Sequence, residues 1–185
     1  EAERVRGDTG EMLMLGGDNW TGTRTTNTGN SDIDSYDPAT GELTKIKGMA
    51  RPRWYATATA LGDGSILIQG GDGGYDHPER WTPENGSELV GAETTPYFWW
   101  YPKTFVLPDG RIFAMDLFGR MYFISADLST ATPAGRLPVD LRGFGATAVM
   151  FAPGKILHFG GPTDTSVIID VTGAEPIVTA GPPLS

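Results

Sequence analysis

Arg53-Trp54-Tyr55-Ala56-Thr57-Ala58-Thr59-Ala60-Leu61-Gly62-Asp63-Gly64-Ser65-Ile66-Leu67-Ile68-Gln69-Gly70-Gly71 is the stretch that decides the fold. Ala56, Ala58 and Ala60 alternate with Thr57 and Thr59, which is the period of an extended strand. Asp63-Gly64 then makes a tight turn, a second apolar run follows, and Gly70-Gly71 halts it. Outward from here, the turn recurs as Pro108-Asp109-Gly110 and Pro153-Gly154, and the glycine pair as Gly16-Gly17 and Gly160-Gly161. The turn glycines Gly64, Gly110 and Gly154 therefore stand about 45 residues apart, a period that short-stranded propeller blades produce. A glycine pair at a strand end lets neighbouring backbones approach where a side chain would clash.

The spacing predicts about four blades of four antiparallel strands, at residues 11–52, 53–96, 97–142 and 143–185. Residues 1–10 read as a frayed lead-in, and residues 18–30, rich in Thr, Gly and Asn, as a loop. Segments 56–60 and 145–151 are expected to be innermost, and 135–137 to close the third blade. The third unit lacks the glycine pair and has Asp116-Leu117 in its place. Gly and Pro interrupt every window before a helical stripe can build, so the fold class is all-β.

Composition narrows the function. The 185 residues carry a formal net charge of −9 and no basic cluster, which disfavours nucleic acid and anionic membranes as partners. The apolar runs are far too short to span a bilayer. No basic-then-apolar leader opens the sequence; a secretion signal, if the protein has one, lies upstream or has been removed. The absence of cysteine removes disulfides, thiolate nucleophiles and Cys-based zinc sites. His77, before Pro78, reads as exposed, and His158, inside a strand pattern, as a satisfied or rim-facing residue. Asp32 and Asp34 share a strand face but have no flanking loop of oxygen ligands, so they read as solvated, and Asp63 and Asp109 read as turn formers. No phosphate loop, nucleophile elbow or zinc-protease motif occurs.

Apolar strand, Gly-Gly, then Tyr36-Asp37-Pro38-Ala39-Thr40-Gly41 is a kelch-type pattern. Met49-Ala50-Arg51-Pro52-Arg53-Trp54-Tyr55, followed by Leu61-Gly62-Asp63-Gly64 and Gly70-Gly71, resembles the galactose oxidase and glyoxal oxidase family of copper-radical oxidases. The Arg-Trp-Tyr form is closer to the glyoxal oxidase branch. The resemblance implies a ring of about seven blades, secretion to an extracellular or periplasmic space, and oxidation of alcohols or aldehydes with release of H2O2. It also implies that Tyr55 is a catalytic residue and a copper ligand, cross-linked to a cysteine in a cysteine–tyrosine radical cofactor. The family's cysteine would fall near Glu1, where none stands, and the later Tyr-His pair is missing. Copper is therefore expected only in an intact parent and not in this chain alone.

The remaining blades or a second chain are the expected partners. The family's aromatic that stacks on the tyrosine would fall at Gly73, leaving Tyr75, Trp81, Trp99 or Trp100 as substitutes. The aromatic run 96–101 suits inter-blade packing or a sugar face, so a non-catalytic propeller binding carbohydrate or protein is the rival reading. A self-contained four-bladed scaffold is another.

Overall fold

Alternation dictates the architecture. In the computed structural model, which describes residues 5–6, 10–138 and 142–184, every regular element is a strand. The chain divides into two compact units, Glu1–Pro102 and Lys103–Ser185.

The first unit opens with β1 (Val5–Arg6), β2 (Met12–Leu15), β3 (Asp18–Trp20), β4 (Thr25–Gly29), β5 (Ile33–Asp37) and β6 (Glu42–Ile46). Four of these make an antiparallel sheet in the order β1-β2-β5-β6. Two expectations are corrected here. Part of the lead-in is a strand, since Val5 and Arg6 pair with Leu13 and Met12. Glu1, where the family's cysteine would fall, lies outside the described residues. The expected loop at 18–30 is a hairpin of β3 and β4. Polar side chains hold it: Thr26 N–H and Thr28 N–H each donate to Asp18 Oδ1 at 3.2 Å, and Asn19 Nδ2 donates to Gly29 O at 2.8 Å. Hydrophobic alternation is silent about such a hairpin.

The second sheet is a meander of β7 (Ala56–Ala60), β8 (Ile66–Gly70), β9 (Glu79–Thr82) and β10 (Gly86–Leu89). The strand 56–60 lies at one edge of the sheet, as an innermost strand must. The Asp63 turn forms as expected, with Oδ1 accepting from Ser65 N–H at 2.9 Å and Ser65 Oγ at 2.6 Å. Leu13, Leu15 and Ile33 from the first sheet pack with Ala58, Ile66, Ile68 and Trp81 from the second, and Met49 joins them from the connection. Burying one such aliphatic side chain contributes about 1.5–3 kcal/mol. The glycine pair stands at the end of β8 for a visible reason. Gly71 has φ 85°, and a Cβ there would lie 2.7 Å from the Cβ of Arg53.

In the second unit, β11 (Lys103–Val106), β12 (Ile112–Met115), β13 (Arg120–Ile124) and β14 (Ala131–Arg136) form one meander. A second is built from β15 (Ala146–Ala152), β16 (Lys155–Gly160), β17 (Ser166–Asp170) and β18 (Ile177–Ala180). The closing strand of the third sheet starts well before the expected 135, because Ala131 already pairs with Ile124. Asp116 replaces the missing glycine pair by accepting Phe118 N–H and Arg120 N–H, both at 2.9 Å, and the Arg120 Nε–H at 2.6 Å. Phe113, Met115, Met121 and Phe123 pack with Ile156, Val167, Ile169 and Val171 as this unit's core. Ala148 and Met150 join that core, while the alternate residues of β15, Val149 and Phe151, stay exposed.

Candidate functional site

Arg53 is the residue that organises the ground around Tyr55, and it is fully buried. Its Nε–H donates to Glu79 Oε1 at 3.0 Å, and its Nη2 lies 3.0 Å from the same oxygen. Nη1 donates to Gly70 O and Gly74 O at 2.6 and 2.5 Å, and Nη2 donates to His77 O at 2.6 Å. Glu79 is equally buried and also accepts from Ala50 N–H, Arg51 N–H and Ser87 Oγ–H. Burial pulls the guanidinium below its ordinary pKa, and the Glu79 carboxylate opposes that shift. Loop 70–77 is thereby fastened to the entry of β7. Sequence reading did not foresee this, because a buried arginine reads as an ordinary exposed one until its partner 26 residues later is brought beside it.

Tyr55 sits immediately before β7 with φ 67°, a left-handed conformation that a bulky residue rarely adopts. Such a backbone costs roughly 1–3 kcal/mol and persists only where its surroundings hold it. Here Tyr101 N–H donates to Tyr55 O at 3.0 Å, Asp72 N–H donates to Trp54 O at 2.8 Å, and Gly71 N–H donates to Trp99 O at 2.8 Å. The aromatic run is drawn over the tyrosine. Trp54 stacks on its ring at 4.2 Å between centroids with planes 22° apart. Trp100 stands at 5.5 Å, Tyr101 meets it edge-on at 4.8 Å, and Trp99 lies at 6.3 Å. Of the expected substitutes for the stacking aromatic, Trp99 and Trp100 are at the ring, Trp81 is buried in the core, and Tyr75 is exposed. The tightest stack comes from Trp54, the neighbour in sequence, a partner that period-2 alternation would have sent to the opposite face.

His77 is half-buried, where the sequence suggested an exposed residue, and its Nδ1 has no hydrogen-bond partner. His158 is buried on the core face of the second unit, so its expected satisfied state is corrected: its Nδ1 also has no partner. Burial, with the Lys103 ammonium adding to it, pushes the imidazole down to about 4. Asp32 lies just before β5 rather than on the strand face expected for it, and it pairs with Lys45 at 2.8 Å with both side chains more than half exposed, so it is solvated as expected.

These residues do not make up the donor set of a copper ion. Among the described residues no group of three or more His, Cys, Asp and Glu converges on one point, and the sequence contains no cysteine. Tyr55 by itself supplies one phenol oxygen.

No family model and no curated protein matches this sequence. Among solved structures, the chain is similar to a fungal alcohol oxidase of the AA5 family in complex with copper, with a TM-score of 0.72 and 15% identity. The alignment covers 97% of this chain and 53% of that one, so the chain spans about half the length of the structure it matches. This likeness establishes the fold: an all-β propeller architecture of four-stranded antiparallel sheets, of the kind found in galactose oxidase-like proteins.

Proposed function

We propose that this chain is a section of a larger propeller whose intact form is a copper-radical oxidase, taking two electrons and two protons from an alcohol or aldehyde hydrate and delivering them to O2 as H2O2. One observation carries the reading. Tyr55, the residue that the Arg-Trp-Tyr motif singles out, is held in a strained left-handed conformation with an indole stacked on its ring. A phenol destined to lose an electron gains from an electron-rich ring against its face, and a fixed backbone keeps the oxygen in place for a metal. Backbone strain falls on two residues of this ring cluster, Tyr55 and Tyr101, whose φ is 41°, among rings that stay half-exposed or exposed, which supports a functional site over a packing site. Remaining donors would come from blades outside this chain, whose partner is then the rest of the ring or a second chain. Secretion follows from the same reading.

The intact protein should bind copper and release H2O2 from a small alcohol or aldehyde. Tyr55→Phe should abolish turnover while the melting temperature stays within a degree or two, since a half-exposed hydroxyl contributes about 1 kcal/mol or less. Turnover that survives Tyr55→Phe would refute the assignment. A rival reading rests on the same aromatic cluster: Trp54, Trp99 and Trp100 offer faces on which a sugar ring can stack. Saturable binding of an oligosaccharide without copper-dependent oxidation would favour it.

A further inference from the structure

Side chains on one face of the first sheet change character along the strands. Register places Ile33 opposite Leu15 and Ile46, Ser35 opposite Leu13 and Thr44, and Asp37 opposite Glu42. One end of this face is therefore apolar and joins the core, and the other end is acidic, with Glu11 beside it. From the second sheet, Trp81 of β9 and Glu84 of the turn between β9 and β10 line the same space. Together they enclose a cleft of about 570 Å3, wholly within the first unit. That size suits a small organic molecule.

Two observations give the cleft a ligand chemistry. Ser35 lines it and is 9% exposed, yet its buried Oγ has no hydrogen-bond partner. Native structures rarely leave a buried hydroxyl unsatisfied without a reason. The walls carry the carboxylates of Glu11, Asp37, Glu42 and Glu84 against the single ammonium of Lys47, which is engaged with Asn85 O at 2.9 Å. Asp37 is occupied by its own turn, accepting Ala39 N–H at 2.8 Å and Thr40 Oγ–H at 3.1 Å. The other three carboxylates point to a cationic ligand. They do not converge on one point, as no such cluster occurs among the described residues, so a compact metal ion is poorly matched. A cation whose charges are spread along an apolar spacer fits better, because Leu13 and Trp81 floor the same cleft.

We propose that this cleft binds a linear aliphatic polyamine. Its ammonium groups pair with Glu11, Glu42 and Glu84, its methylenes lie over Leu13 and Trp81, and one N–H donates to Ser35 Oγ. Spermidine is the probe. Titrated into the 185-residue chain, it should bind saturably, with amide shifts centred on 11–13, 35–37, 42–44 and 84–86 and a Kd that weakens as salt rises. Hexanediol, which keeps the spacer and lacks the charges, should not bind. Replacing Glu11, Glu42 and Glu84 together by Gln should weaken spermidine about tenfold, as three partly exposed ion pairs together imply. Ser35→Ala should weaken binding and leave the melting temperature unchanged, whereas a hydroxyl with only a structural role would move the melting temperature alone. Absent saturable binding, equal affinity for hexanediol, shifts mapping elsewhere, or indifference to the three Gln substitutions would each overturn the proposal.

Discussion

Glu79 stripped of its charge would leave a buried guanidinium facing three backbone carbonyls, with no carboxylate in contact and only the field of Asp76 acting on it. Breaking such a pair from one side is far more costly than the pair's net worth, so Glu79→Gln should destabilise the chain by about 3–5 kcal/mol in urea unfolding. Asp32→Asn, at an exposed pair, should leave the same curve unchanged within error. Gly71 tests the other side of the same contact. An alanine there must adopt φ 85° and place its Cβ against the Cβ of Arg53, so Gly71→Ala should lose about 2–5 kcal/mol. Gly62→Ala, whose added Cβ meets nothing within 4 Å, is the matched control and should be nearly neutral. If both glycine variants melt together, close approach is not what the pair provides.

At the scale of elements, β16 carries a buried base into the core face of the second unit, where Lys103 of β11 is the cation that acts on it. Lys103 is itself drawn below its ordinary pKa by burial, with Asp116 opposing the shift. His158 has a folded pKa of about 4 against an ordinary 6.5, so between these values the unfolded chain binds a proton that the folded chain refuses. Stability contributed by neutral His158 is thus intact above about 6.5 and declines as pH falls towards about 4. His158→Leu should flatten that decline in denaturant midpoints measured across the window. Asp127 and Asp170, held down to about 2 by hydrogen bonds from Ser125 and Lys155 respectively, titrate below it. An unchanged slope in His158→Leu would assign the acid sensitivity elsewhere. Legibility also differed by element. Alternation and the recurrent glycine turn, Asp-Gly twice and Pro-Gly once, revealed β7, β8, β12, β15 and β16, because burial on one face imposes a period. The hairpin of β3 and β4 has no such face; its bonds run through Asp18 and Asn19, which read locally as turn residues. Tyr55 was legible from its motif, yet its stack on Trp54 was not, since that depends on a positive φ that nothing in the residue type announces.

The whole chain displays an apolar surface that a self-sufficient molecule would cover. Val149 is 48% exposed and Phe151 57%, and register sets Val149 beside half-buried Leu157 and Ile168 on the same face of the fourth sheet. Stripes of this kind seek a partner. The chain alone should therefore associate in solution, and Val149→Glu with Phe151→Glu should shift sedimentation towards the monomer. A monodisperse monomer at high concentration would argue instead for a closed, four-bladed molecule. The exposed side of β15 has a consequence in mass action. When a face is covered only by a neighbour, the neighbour acts as a ligand of the folded state, and the melting temperature becomes a function of how much protein is in the tube. Dilution should lower it, and the double glutamate chain should melt at one temperature whatever its concentration.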